Sequence, residues 1–210
     1  IDMFGDISTV AGTGDSGSSG DGGAAISARL AEPKAIIKDS SGNLYISDTN
    51  NDKIRKVNTS GVISTFAGTG SAGSSGDGGA ATSAMLNTPR GIYMDSSGNL
   101  YIADKGNDKI RKVDTSGDIS TIAGTGSSGS SGDGGAATAA QLDEPKGVFK
   151  DTTGNLYIAD SNNSKIRKVD TSGYILTFVS SSGAGDEGDG GLATLAQLNH
   201  PAGIFKDSSG

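Results

Sequence analysis

The chain has 210 residues, a formal net charge of −7, a sequence pI of about 4.6 and no cysteine. An acidic balance works against binding to nucleic acid or an anionic membrane, since both need clustered cations, so we predict no nucleic-acid partner and no membrane insertion. Without cysteine there are no disulfides or thiolate metal sites, and no run of about 18 apolar residues could insert into a membrane.

The sequence repeats with a period of 56 residues. Residues 61–116 and 117–172 are identical at 40 of 56 positions without any insertion. The four prolines mark the same step, at Pro33, Pro89, Pro145 and Pro201. Such regularity indicates structural units that each pack on the next in the same way.

Within one unit, apolar runs alternate with turn-forming residues. In chain order, the second unit gives strands at 91–95, 100–104, 109–113 and 118–124, with turns at 96–99, 105–108 and 114–117. Four strands joined by short turns predict an antiparallel meander. Meanders in tandem predict an all-β fold, a β-propeller with one four-stranded blade per repeat. A β-solenoid is the alternative, but its coils are usually shorter and lack three hairpin turns.

The motifs of residues 89–126 resemble those of the NHL-repeat family of β-propellers. The matching pattern is Pro-x-Gly-apolar, then Asp-x-x-Gly-Asn-Leu-Tyr-Ile-Ala-Asp, then Asn-x-x-Ile-Arg-Lys-Val. The resemblance is to the variant with long SGDGGAAT loops between blades, which is common in large bacterial and some eukaryotic extracellular proteins. It implies that the strand after Pro-x-Gly lines a central channel and that KIRKV lies further out.

We interpret residues 1–210 as a single array with repeats 5–60, 61–116 and 117–172 and an incomplete repeat 173–210. These residues predict three full blades, an outermost strand at 5–11 near the N-terminus and an innermost strand after Pro201. We expect a stretch of a longer array, which in this family typically has six blades. The alternative is that copies of the chain complete one another in an assembly.

About twenty glycine-rich residues separate each outermost strand from the next innermost strand. We name these segments the straps, at 12–32, 68–88, 124–144 and 180–200. A free linker needs no fixed sequence, so the recurrence of SGDGGAAT predicts order. We expect Asp77 or Asp133 to accept strap N–H groups and AATAAQL to form one helical turn. We also expect one leucine per strap to plug the gap between blades, at Leu30, Leu86, Leu142 and Leu198.

Aspartates recur at fixed places in every repeat. We select as candidate binding residues on blade-top loops Asp21, Asp77, Asp133, Asp189, Asp48, Asp104 and Asp160. Capping of turns is the structural interpretation of such residues, because carboxylates accept backbone N–H groups. Calcium is the alternative, since it prefers oxygen ligands. No segment matches an EF-hand loop or a calcium-binding β-roll. We predict no catalytic residue and no metal or cofactor, with calcium as the alternative.

Basic pairs, one histidine and two sequons complete the candidates. Acidic residues neighbour each of the three basic pairs, which are Arg55-Lys56, Arg111-Lys112 and Arg167-Lys168. We therefore predict that the pairs form exposed ion pairs between blades rather than bind RNA. His200 is the single histidine, which excludes a three-histidine zinc site and predicts a solvated loop residue. Asn58 and Asn162 begin sequons in predicted turns, which would accept glycans in a secretory pathway.

These features predict a non-enzymatic structural or protein-interaction propeller module of a larger extracellular or cell-surface protein. Its role would be that of a scaffold or adhesion element, or of a subunit in an extracellular fibre. The expected partners are a protein, a glycan or other copies of the chain. The alternative is a ligand- or calcium-binding propeller that uses the blade-top loops.

Overall fold

A computed structural model describes residues 5–180 and 184–205, and these residues form three four-stranded antiparallel sheets. The first sheet holds β1 (Pro33–Lys38), β2 (Leu44–Asp48), β3 (Lys53–Val57) and β4 (Ile63–Ala67). The second holds β5 (Pro89–Met94), β6 (Leu100–Asp104), β7 (Lys109–Val113) and β8 (Ile119–Ala123). The third holds β9 (Pro145–Lys150), β10 (Leu156–Asp160), β11 (Lys165–Val169) and β12 (Ile175–Val179). Spatial order follows chain order in each sheet, which confirms the predicted meanders.

Helical structure in the described residues is limited to short 3₁₀ turns. They lie at Ala25–Ser27, Thr49–Asn51, Ala81–Ser83, Lys105–Asn107 and Ala137–Ala139. Three of them lie at equivalent positions in the first three straps, two of these in AAT segments, which confirms the predicted helical turn there. No helix in the described ranges has the length and apolar character needed to cross a membrane.

An aspartate-capped turn joins the first and second strands of each blade. In the second blade, Asp95 Oδ1 accepts the backbone N–H groups of Ser97 and Asn99 at 3.1 and 2.9 Å. Gly98 completes the turn with a φ of +90°, a conformation that favours glycine. The capping interpretation of the turn aspartates is therefore confirmed at this position.

The hydrophobic core lies between blades rather than within one sheet. Between the first two blades, Tyr45 and Ile54 on one side pack against Ile102 and Leu100 on the other. Leu86 and Leu142 are fully buried in the two interblade cores, which confirms the predicted plug at both positions. Leu30 and Leu198 lie in the outer straps and are partly buried.

The innermost strands β1, β5 and β9 lie beside one another in successive blades. A Cβ atom built on Gly91 would lie 2.5 Å from the Lys146 carbonyl oxygen, and one built on Gly147 would lie 2.5 Å from the Ala202 carbonyl oxygen. The glycine of Pro-x-Gly therefore allows neighbouring innermost strands to approach closely around the axis.

The two predicted end strands do not form in the described residues. Residues 5–11 are irregular, and residues 201–205 lie beside β9 without entering a sheet. A strand needs a hydrogen-bonded neighbour, and neither segment has one in its own blade. The rest of the predicted innermost strand, 206–210, lies outside the described residues.

A lysine and two partners link the second and third blades. Lys150 Nζ donates to Asp95 Oδ2 at 3.1 Å and to Tyr101 Oη at 2.8 Å. Partial burial raises the pKa of Asp95, but hydrogen bonds from Asn99, Lys150 and Tyr101 lower it by more, to about 2 from its ordinary 3.8. Ionised Asp95 therefore stabilises the contact between the two blades.

Leu142→Ala should lower the free energy of unfolding by about 2–5 kcal/mol, because it empties a closed site between two blades. Thermal or urea unfolding measures the effect. Leu195→Ala is the matched control, since Leu195 is exposed in the fourth strap and should change stability little. Equal melting of the two variants would show that the strap leucine is not a structural plug.

The Asp95 contact predicts a dependence of stability on pH. Because the folded pKa of Asp95 is lowered, its contribution is complete above about pH 4 and is lost as the pH falls towards 2. The melting temperature of Asp95→Asn should therefore fall less over this range than that of the parent chain. Asp118→Asn, at an exposed position, is the control, and parallel pH curves for all three proteins would contradict the prediction.

Candidate functional site

The straps form the most distinctive surface of the molecule. The second strap folds back on itself: Gly73 N–H donates to Leu86 O and Met85 N–H donates to Ser75 O, both at 3.1 Å. The tip bonds to the outermost strand of the next blade, where Gly78 N–H donates to Ile119 O at 2.8 Å. The predicted order of the strap is thereby confirmed.

A buried arginine fixes the strap to its blade. Arg111 Nη2 lies 2.7 Å from Asp77 Oδ1 of the strap, and Arg111 Nη1 lies 3.3 Å from Asp104 Oδ2 at the end of β6. Neither the Arg111 nor the Asp104 side chain has any exposed surface, whereas Asp77 is 44% exposed. Equivalent bridges form in the other two blades, where Arg55 pairs with Asp21 and Asp48, and Arg167 pairs with Asp133 and Asp160.

Further hydrogen bonds occupy the buried carboxylate. Asp104 Oδ1 accepts the N–H of Asn87 at 2.8 Å, and Asp104 Oδ2 accepts the amide of Asn107 at 2.8 Å. Burial raises the pKa of Asp104 to about 6, and the contacts with Asn107, Asn87 and Arg111 keep it from rising further. Burial likewise raises the pKa of Asp160 to about 6.

The strap carboxylate is held differently, because it is only partly buried. Asp21 accepts a hydrogen bond from Thr65 Oγ1 at 2.7 Å and one from Arg55 at 2.6 Å. Partial burial raises the pKa of Asp21, but these two contacts lower it by more. Within the described residues, Asp77 and Asp133 likewise bind arginines and accept no strap N–H group, so the expectation that they accept strap N–H groups was wrong. The SGDGG backbone already bonds to the outermost strand.

The structure thus brings six of the seven candidate aspartates together in three bridges. Asp189 is exposed in the fourth strap and is placed in no such bridge within the described residues. A binding role for the seven residues stays a prediction. The described part of the chain holds no group of three His, Cys, Asp or Glu side chains arranged for a metal ion.

The prediction for the basic pairs was wrong for the arginines. Arg55, Arg111 and Arg167 are fully buried, because every third-strand arginine lies under a strap and between two carboxylates. The lysines of the pairs keep partial exposure, and Lys56 Nζ and Lys168 Nζ lie 5.4 and 5.9 Å from the Tyr45 and Tyr157 ring centres.

One further aspartate in each of the first two blades holds the end of the next strap, a role that sequence reasoning missed. Asp52 Oδ1 accepts the N–H of Thr88 at 2.7 Å, and Asp108 Oδ1 accepts the N–H of Glu144 at 2.8 Å. Thr88 and Glu144 both have a φ of +46°, which is unfavourable for these side chains. The aspartates hold the strap ends in that conformation.

The remaining candidates lie on the surface. His200 is exposed, and its Nδ1 lies 2.6 Å from Asn199 Oδ1. Asn58 is exposed, and its Oδ1 accepts N–H groups of Ser60 and Val62. Asn162 donates to Asp143 Oδ1 at 3.1 Å. Ser164 of the second sequon is buried, so Asn58 offers the more accessible acceptor.

Solved structures share this architecture. A structural genomics protein of unknown function from Bacteroides thetaiotaomicron matches with a TM-score of 0.62 and 23% identity, over 83% of this chain and 42% of its own. A streptogramin B lyase matches with a TM-score of 0.55 and 16% identity, over 85% of this chain and 46% of its own. At these identities the likeness concerns the fold alone, and the chain is of the β-propeller class.

Sequence comparison gives the family. A family model of the Teneurin NHL domain matches residues 5–75, 69–131 and 125–188. Human Teneurin-4 is 41% identical over 100 residues, which cover 41% of this chain and 4% of that protein. The protein SUPPRESSOR OF QUENCHING 1, chloroplastic, of Arabidopsis thaliana is 38% identical over 87 residues, which cover 41% of this chain and 8% of that protein. The chain belongs to the Teneurin NHL domain family and spans less than a tenth of the length of these two relatives.

Arg111→Met should lower the free energy of unfolding by about 3–5 kcal/mol, because it leaves the buried Asp104 without its charged partner. Lys112→Met, one residue along the same strand, removes a charge without opening the bridge and should cost about 0.5 kcal/mol or less. Chemical denaturation measures both variants.

Asp133→Ala tests the strap side of the same bridge. It should cost only about 1 kcal/mol, because Arg167 keeps Asp160 as a partner. If Arg111→Met unfolds at the same denaturant concentration as Lys112→Met, the bridges do not stabilise the fold.

Proposed function

We propose that this chain is a non-enzymatic protein-interaction module of a larger extracellular or cell-surface protein, where it acts as a scaffold or adhesion element. The observation that carries the proposal is the strap surface. Its glycine- and serine-rich face is exposed, and buried ion pairs fix it in the same conformation in three successive repeats. A rigid, repeated polar surface pays little ordering entropy on binding, which favours recognition of a macromolecule.

The distribution of chemical groups supports a non-enzymatic role. The buried carboxylates that could serve as acids or bases are engaged by arginine and amide groups. The single histidine is exposed and contacts its own neighbour Asn199. General acid–base chemistry needs a positioned group with room for a substrate proton, and the bridges leave no such room.

The extracellular setting rests on the resemblance of the straps to loops of extracellular arrays. The partners we propose are a protein, a glycan or other copies of the chain, as in a fibre. Calcium binding by the strap aspartates stays a prediction. Melting curves recorded with calcium and with a chelator test it separately, because a bound ion would raise the melting temperature.

A binding titration with matched variants tests the proposed function. Labelled chain is titrated onto intact cells, an extracellular protein panel and a glycan array, and we expect saturable binding to a member of one set. Ser127→Arg with Ser130→Arg places two cations on the third strap and should weaken that binding at least about tenfold. Ser97→Arg with Thr152→Arg adds the same charge on exposed turns between first and second strands, to which no strap bonds within the described residues, and should leave it unchanged.

The same proteins are assayed for lyase and hydrolase activity on a broad substrate panel. Turnover that is lost in His200→Ala would overturn the non-enzymatic assignment. Equal weakening of binding by both double variants would show that the strap face is not the interaction surface.

A further inference from the structure

Three cations occupy the same position in successive repeats, one residue after the proline that opens each innermost strand. They are Lys34, Arg90 and Lys146. They line a single open cavity of about 310 Å³ at the start of the innermost strands, together with the backbone of Gly91 and Gly147. The residues described around this cavity include no acidic side chain, although the chain carries a net charge of −7.

β-Bulges set the direction of these three side chains. The pairing register of β1 shifts between Pro33 and Ile36, and that of β5 shifts between Pro89 and Ile92. The pairing of β9 passes from Pro145 to Gly147 and leaves Lys146 unpaired. Each cation therefore lies in a bulge, a device that re-aims a side chain relative to a regular strand.

Contacts between blades fix the backbone at this level. Ser47 Oγ donates to the Arg90 carbonyl oxygen at 2.5 Å, and Thr49 Oγ1 donates to the Pro89 carbonyl oxygen at 2.7 Å. Ser161 makes the matching bond to the Pro201 carbonyl oxygen. The close approach at Gly91 and Gly147 adds to these bonds, so the backbone that carries the three cations around this cavity is held in place.

The charges of this set are poorly neutralised by the protein. Lys34 lies 3.0 Å from Glu32, but both side chains are well exposed, so this pair contributes little. Among the described residues, no carboxylate lies within 4.0 Å of the charged groups of Arg90 or Lys146. By contrast, the third-strand arginines and Lys105 and Lys150 all have carboxylate partners.

We propose that this cavity is an oxyanion-binding site, which takes the phosphate, sulfate or carboxylate head of a small ligand at the mouth of the central channel. Arginine and lysine bind such groups through charge-assisted hydrogen bonds, and the planar arginine fork matches two oxygens at once. Ile92, Val148 and Ile204 line the same cavity, so a ligand with an apolar portion next to its anionic head fits best. The site is independent of the strap surface and of the proposed interaction function.

Isothermal titration of the 210-residue chain with pyrophosphate, sulfate and citrate tests the site. We expect saturable binding of at least one anion, weakened by added sodium chloride because salt screens the attraction. Arg90→Gln with Lys146→Gln should weaken it about tenfold or more. Lys53→Gln with Lys165→Gln removes the same charge away from the cavity and should change it less than about twofold.

A gain-of-function variant keeps the test decisive if the double variant unfolds. Ala202 occupies the fourth equivalent position and lines the cavity, so Ala202→Lys should strengthen binding about threefold or more. Absence of saturable binding by all three anions would overturn the proposal. Equal loss in both double variants, or no gain in Ala202→Lys, would overturn it as well, since the attraction would then be a property of net charge.

Discussion

The architecture of the chain depends on a guanidinium group that is buried between two carboxylates. Arg111 is inaccessible to solvent, and so is Asp104, while Asp77 reaches the pair from the strap. A buried charge is tolerated only when it is paired and hydrogen-bonded. Once the arginine lies in the third strand, the strap must therefore return to the same place in every repeat. The conserved spacing of the three residues across the repeats is the consequence.

The strap also covers the free edge of the outermost strand. An uncovered edge offers unpaired N–H and C=O groups and invites pairing with other chains. The strap tip bonds to this edge in each described blade, through isolated bridges such as Ala80 with Asp118. The glycines that look like a linker in the sequence let the two arms of a strap approach each other closely, as at Gly76, whose added Cβ would lie 2.6 Å from Ala84 Cα.

Much of the fold could be predicted because it depends on local and periodic signals. The strand order, the interblade leucines and the AAT turns follow from the 56-residue period and the turn residues. The burial of Arg55 and its equivalents could not be predicted, because an Arg-Lys pair in an alternating strand looks like an exposed one. The strap covers that face, and its Asp77 lies 34 residues from Arg111 in sequence. The cation set around the channel was also missed, since its members meet only when blades pack side by side.

Amide hydrogen exchange reports whether the buried arginine bridge orders the strap. We expect the N–H groups of Gly78 and Ala81 to exchange as slowly as those of neighbouring β8, because both donate to that strand region at 2.8 Å. In Arg111→Met the protection of these two amides should fall well before that of the strands. Exchange of the strap amides at the rate of an unstructured glycine-serine chain in the parent protein would show that the bridge does not order the strap.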